Sequence, residues 1–254
     1  MPDPILKFTD GVFGDGDCDH HVFDGLLHRY VAASADGVNR VDYAAWKASR
    51  GDLEDLRRYI TDLQALLPAT LTRPARFAFW VNLYNAETLR VVLEAYPVRS
   101  IFQVRSSVLP IGPWWRKSLQ VNGVKLSLHD IENRILRPGF ADPRLHYALN
   151  CASTGCPVLR PKAWSALNLD DELDQAARTM INHARGVRLK NGRLVLSRIF
   201  KWYRKDFGGS DQQILAHLEA FAEPELAKDI AKHKSIGGYE YDWSLNGRGA
   251  GKGS

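Results

Sequence analysis

The chain has 254 residues, 45% hydrophobic and 25% charged, with a net charge of +5 and a pI near 9.1. That length buries the core of one large domain, and the composition is that of an ordinary globular protein. The 34 Lys and Arg are interleaved with 29 Asp and Glu without a basic run, which argues against a nucleic-acid partner. No apolar stretch approaches the roughly 18 residues of a membrane span, and three cysteines, Cys18, Cys151 and Cys156, are too few for a disulfide framework.

Residues 1–21, rich in Gly, Asp and Pro, read as a loose arm with no visible signal peptide. Asp17-Cys18-Asp19-His20-His21 offers metal-ligand types but lacks the second pair of a structural zinc site, so a polar helix entry is expected and no metal. Val22, Leu26, Leu27, Tyr30 and Val31 recur at helical spacing. A turn and short extended piece follow at 37–43, then a helix from Tyr43 with Asp42 as N-cap, and a Leu/Ile helix stripe from Leu53 to Leu66. Thr72–Tyr96 reads as the central helix, capped by Thr72, with Pro74 in the first turn and apolar residues on more than one face. Inside it sit two poor helix formers, Asn82 and Asn85, on roughly one side; they serve either a neighbouring loop or a site.

Leu109-Pro110-Ile111-Gly112-Pro113-Trp114-Trp115 is a Pro/Gly loop whose tryptophans either plug the core or cover a cleft. Asn122-Gly123 and Asn191-Gly192 each mark a hairpin. Ser127 with Asp130 resembles a capping box for a helix running to Arg137, in which Glu132 lies beside the apolar stripe. Residues 143–149 alternate in polarity and predict a strand, leading into the small-residue turn Ala152-Ser153-Thr154-Gly155. Helices are predicted at 167–182, 199–207, 211–221 and 223–233, and a closing strand at 239–243. No linker divides the chain: a single domain at 22–246 is expected, with a flexible tail at 247–254.

Cys151, at the exit of the predicted strand, is the leading nucleophile candidate. It needs a base, and His146 is the nearest histidine, with His129 and His183 also in the central region. Five residues apart on a straight strand, His146 and Cys151 face opposite ways, so they share a cleft only if the chain bends near Asn150. Glu132 or an asparagine would orient the imidazole, and the turn amides around Ser153 and Gly155 would supply an oxyanion hole.

Several segments together resemble one known family. They are Phe77-Ala78-Phe79-Trp80-Val81-Asn82-Leu83-Tyr84-Asn85-Ala86, Leu128-His129-Asp130-Ile131-Glu132, Asp142 to Cys151, Cys156-Pro157, Lys201-Trp202-Tyr203 with Asp206-Phe207, and Tyr241-Asp242-Trp243-Ser244-Leu245-Asn246. The set, over about residues 22–246, resembles the domain-of-unknown-function family number 547. The resemblance implies retention of the asparagine pair, of Glu132, of His146 and of Cys151, whereas the Cys156 position varies to serine; it therefore points to Cys151 rather than Cys156. A Cys with a His and a carboxylate or amide is similar to papain-like and transglutaminase-like enzymes, although there Cys usually precedes His in the chain.

The expectation is thus an α+β fold, an antiparallel sheet packed by helices, of papain-like type. Its activity would be that of a cysteine hydrolase or acyl transferase acting on an amide or thioester bond of a small-molecule or peptide substrate. Cys151 is the nucleophile, His146 the base and Glu132 its orienter; Asn85, Asn82, Ser153 and Gly155 contact substrate, and no cofactor is needed. The alternatives are a non-catalytic binding or scaffold domain, and a metal-dependent hydrolase with Cys151, His146 and Glu132 as ligands.

Overall fold

The computed structural model describes residues 3–104 and 113–248. Helix α1 (His21–Tyr30) leads into a two-stranded ribbon, β1 (Val31–Ala32) with β2 (Arg40–Val41). Asp42 then caps α2 (Tyr43–Ala48), its carboxylate accepting the Ala45 N–H at 3.0 Å. Ser49 starts α3 (Arg50–Ala65), and Thr72 caps α4 (Arg73–Ala95) through the Ala75 N–H. Helix α4 is apolar nearly all round and is buried from Ala75 to Leu89, so α1, α2 and α3 gather around it.

The first arm is not loose. Ile5 and Phe8 are buried, and the Phe8 ring meets Trp80 of α4 edge-on with centroids 5.1 Å apart. Apolar anchors between the prolines and glycines carry it into the core.

Hairpin β3 (Leu119–Val121) to β4 (Val124–Leu126) turns at Asn122-Gly123, both with positive φ, the conformation that Asn-Gly adopts most readily. The Ser127–Asp130 capping box is formed. The helix that it starts is not uniform: α5 (Leu128–Asp130) widens into a π-helical turn at Ile131–Leu136 before α6 (Arg137–Phe140). Beyond it, the predicted strand at 143–149 is a 3-10 helix, Pro143–Tyr147. Pro143 fixes the first turn, Asp142 accepts the Arg144 N–H at 2.8 Å, and Leu145 through Leu149 are all buried. The alternation in polarity therefore does not mark a solvent face, because His146 is buried with a partner of its own.

The rest comprises α7 (Leu169–Ile181), hairpin β5 (Val187–Lys190) to β6 (Arg193–Ser197), α8 (Ile199–Trp202), α9 (Asp211–Phe221), α10 (Pro224–Ala231) and β7 (Gly238–Glu240). Strand β6 pairs antiparallel with β5 and parallel with β7. About 50% of the chain is helix and 11% strand. The fold is α+β, but the described strands form three small sheets around helices rather than one central sheet. Of the predicted tail, residues 249–254 lie outside the described residues, while Val41 bridges Gly247 and the Arg248 N–H donates to the Val41 carbonyl.

Two apolar cores result. One surrounds α4; the other lies among α7, β5, β6, α8 and α9. The 143–149 segment spans both, with Leu145 and Leu149 in the first and Tyr147 in the second.

Candidate functional site

At this junction a cavity of about 550 Å³ opens. Its lining comes from distant parts of the chain: Tyr84 of α4, Glu132 of the π turn, His146, Cys151, Cys156, Tyr203 and Tyr241. Phe102, Trp114, Trp115, Trp202 and Trp243 supply aromatic walls. Of the Pro/Gly loop, residues 109–112 lie outside the described residues; Trp114 and Trp115 line the cavity, with Trp115 stacked on His129 at 3.7 Å. The tryptophans of that loop cover a cleft.

The bend that the cysteine and histidine needed is present, in another form. The chain leaves the 3-10 helix, reaches Cys151, and turns sharply at Ala152, whose φ of +63° is left-handed. A non-glycine residue holds that conformation at a cost of about 1 kcal/mol or more, so surrounding bonds must fix it. The Ala152 N–H donates to Asn150 Oδ1 at 2.8 Å and its carbonyl accepts the Asn246 N–H at 3.0 Å. The turn brings both cysteines to one hydroxyl. Tyr241 Oη lies 3.2 Å from Cys151 Sγ and 3.1 Å from Cys156 Sγ. Ser153 Oγ is 3.2 Å from Cys151 Sγ and 3.5 Å from Cys156 Sγ, and the Cys151 N–H donates to Cys156 Sγ at 3.0 Å.

These contacts make the two thiols unequal. Cys151 is pushed up, first by the hydrogen bond that it gives Cys156 and then by burial. Burial also acts to raise Cys156, but hydrogen bonds from Cys151, Ser153, Tyr241 and the Cys151 N–H outweigh it and pull that thiol down to about 6. The negative charge of the pair therefore rests on Cys156.

His146 is held by Asp206, not by Glu132. Its Nε2–H donates to Asp206 Oδ2 at 2.7 Å, and its ring stacks on Tyr203 with centroids 3.8 Å apart. Asp206 also receives Arg137 Nε at 2.6 Å and Nη2 at 2.8 Å. Burial pushes the Asp206 carboxyl up, yet the bonds from His146 and Arg137 prevail and hold it well below the usual carboxylate range. Glu132 is buried elsewhere in the cavity wall. Tyr84 Oη donates to it at 3.4 Å and Tyr203 also hydrogen-bonds it; burial prevails and raises its pKa. Among the described residues no hydrogen bond joins His146 to either sulfur.

The asparagines are structural. Asn85 donates to the Ala148 carbonyl at 3.0 Å and accepts the Asn150 N–H at 2.9 Å, pinning the approach to Cys151. Asn82 does the same for Trp164, through its carbonyl at 2.8 Å and its N–H at 3.0 Å. Neither lines the cavity. Three of the turn amides are spent: Thr154 N–H goes to Ser244 O, Gly155 N–H to Asp242 O, and Cys156 N–H to Ser153 O. Ser153 acts through its hydroxyl and Gly155 through its smallness, since a Cβ there would stand 2.8 Å from Asp242 N. Among the donors that line the cavity, the Tyr241 hydroxyl is the one beside both sulfurs. Sequence reasoning missed Asp206 and Tyr241 as site residues; each lay in an aromatic motif that gave no sign of which cavity it would enter.

At the other candidate cluster, burial, followed by Asp17 and Asp19, pushes Cys18 up to about 12, while burial draws His20 down to about 4, with its Nδ1 2.7 Å from Tyr59 Oη. Among the described residues no three His, Cys, Asp or Glu side chains are grouped to hold a metal ion, either here or at Cys151, His146 and Glu132. No described helix is long and apolar enough to cross a membrane.

Residues 68–181, just under half of the chain, match the model of the family described as protein of unknown function, DUF547. Over this stretch the chain is similar to that family. No curated protein and no solved structure matches the chain. The DUF547 stretch holds Glu132, His146, Cys151 and Cys156, whereas Asp206 and Tyr241 come from beyond it.

Proposed function

We propose that the chain is a cysteine-dependent hydrolase or acyl transferase acting on an amide or thioester bond. The supporting observation is the shared cavity. Cys151 and His146 both line it, and Asp206 fixes the imidazole through Nε2, leaving Nδ1 for proton transfer. In this reading Cys151 Sγ attacks the acyl carbon and its proton passes to His146. The developing oxyanion takes a hydrogen bond from a cavity hydroxyl, Tyr241 or Tyr203, in place of turn amides. Collapse of the tetrahedral adduct breaks the bond to the leaving amine or thiol, which takes the proton from His146. Water or an acceptor nucleophile then cleaves the thioester. Catalytic hydrogen bonds often close only with substrate bound, which accommodates the absence of a His146–sulfur bond in the free cavity. Among the described residues the lining carries no Lys or Arg, and an uncharged acyl group, from a small molecule or an apolar peptide segment, suits it.

The test is labelling combined with turnover. A thioester probe should leave its acyl group on Cys151, the more exposed of the two sulfurs, and Cys151→Ala should abolish both that adduct and hydrolysis of the probe. Unchanged turnover in Cys151→Ala would sink the reading and leave a binding domain with an aromatic cleft.

A further inference from the structure

We propose that Cys151 and Cys156 are also a redox-active dithiol that reduces a hydroperoxide and closes to an intramolecular disulfide. Three observations carry this beyond the acyl-transfer reading. First, the two sulfurs converge on the same two hydroxyls, Tyr241 Oη and Ser153 Oγ, and the Cys151 N–H reaches the Cys156 sulfur itself. A nucleophilic thiol used only for acyl transfer has no need of a second sulfur in its shell. Second, Cys156 is surrounded as an anion is, with backbone, hydroxyl and thiol donors all directed at one buried sulfur.

Third, a counter-charge stands nearby. Arg185 lies in the segment before β5, and its Nε, Nη1 and Nη2 are buried without a hydrogen-bond partner among the described residues. Burial draws this guanidinium down to about 10, and Cys156 is the foremost charge acting to restore it. Among the described residues no carboxylate pairs with it, Asp36 acting on it only after Cys156, and a buried cation without a close partner is costly. A thiolate on Cys156 accounts for it, and the acyl-transfer mechanism makes no use of it.

The chemistry balances. The Cys156 thiolate attacks the outer oxygen of the hydroperoxide; the O–O bond breaks, an alcohol leaves with a proton, and Cys156 becomes a sulfenic acid. The Cys151 thiol then attacks the Cys156 sulfur, the S–O bond breaks, and water leaves as the disulfide forms. Two thiols are oxidised by two electrons and one hydroperoxide is reduced to an alcohol. A small dithiol reductant returns the pair to its starting state by exchange. The aromatic walls suit an alkyl hydroperoxide, which carries no charge to bury.

Equimolar tert-butyl hydroperoxide added to the reduced full-length chain tests this. Two of the three thiols should disappear together, and peptide mapping should find Cys151 joined to Cys156 while Cys18 stays reduced. In Cys151→Ser, the sulfenic acid should persist on Cys156 and be captured by dimedone. In Cys156→Ser, oxidation of Cys151 should be at least about ten-fold slower. Survival of all three thiols in the wild type, or dimedone capture on Cys151 at the wild-type rate in Cys156→Ser, overturns the proposal. The mapping needs no variant, so a misfolded mutant does not blunt it. Neither readout involves acyl transfer, so failure here and failure of the hydrolase reading are separate outcomes.

Discussion

Asp206 carries the hydrogen bonds of both His146 and Arg137 on two oxygens. An Asp206→Asn variant keeps its shape but presents an amide N–H to one of them, favouring the wrong imidazole tautomer. Thioester turnover should fall by about 10²- to 10⁴-fold with little change in KM; an equal loss in KM alone would make Asp206 a substrate contact. Glu132 responds to pH. Its folded pKa is raised above the unfolded value, so the folded state binds more protons than the unfolded state. Stability is then full below the unfolded carboxyl's range and is lost as pH rises through the folded value. Glu132→Gln should therefore gain in Tm over the wild type at pH 8 and lose that gain near pH 4, as thermal melts across that range would show. At this scale the sequence was partly legible. His146 and Cys151 were singled out from residue type, position and the family resemblance, and both line one cavity. Glu132 was assigned the orienting role from its place beside an apolar helix stripe and in the resembling motif, whereas Asp206 lies 60 residues beyond His146 and only folding brings it there. The asparagine pair was correctly singled out as unusual, but what it serves is backbone. Asn85→Leu leaves the Ala148 carbonyl and the Asn150 N–H unpaired in the core and should cost about 2–4 kcal/mol by urea denaturation.

Local rules specified most elements. The two Asn-Gly turns, the Thr72 and Asp42 caps and the Ser127–Asp130 box are short-range chemistry, and each appears where its residues stand. What escaped were elements decided by tertiary partners. The π turn at Ile131–Leu136 draws Glu132 inward to Tyr84 and Tyr203, and an extra residue per turn leaves no mark on a 3.6-residue periodicity. The 143–149 segment alternates in polarity, yet Leu145 through Leu149 are all buried. The element that matters most to the sulfurs is the turn after Cys151, clasped by residues 241–246. Gly155 lets that clasp close: a methyl there would meet Asp242 N at 2.8 Å and Asp242 O at 2.9 Å. Gly155→Ala should destabilise the fold by about 1–3 kcal/mol and draw Tyr241 off the sulfurs. A Cys156 titration curve moved toward that of an ordinary thiol, followed by thiolate absorbance, would register this; an unmoved curve would show that Tyr241 is not what holds the charge.

In the whole molecule the cavity belongs to neither core but to the gap between them, bridged by one short segment. Four of the seven tryptophans, Trp114, Trp115, Trp202 and Trp243, line it. Alkylation of Cys151 by a bulky aromatic electrophile should shift the intrinsic emission spectrum, and the shift should vanish in Cys151→Ala. Identical spectra before and after alkylation would place the modified sulfur away from this cavity. The lining is drawn from Tyr84 to Trp243, so its parts leave the ribosome in a fixed order. Cys151, His146 and Asp206 all emerge before Tyr241, the hydroxyl that unites the sulfurs. During synthesis the growing polypeptide thus passes through an interval in which its cysteines are present without the clasp that distinguishes one from the other. Both sulfurs meet a common hydroxyl only once the segment that follows the last strand has docked.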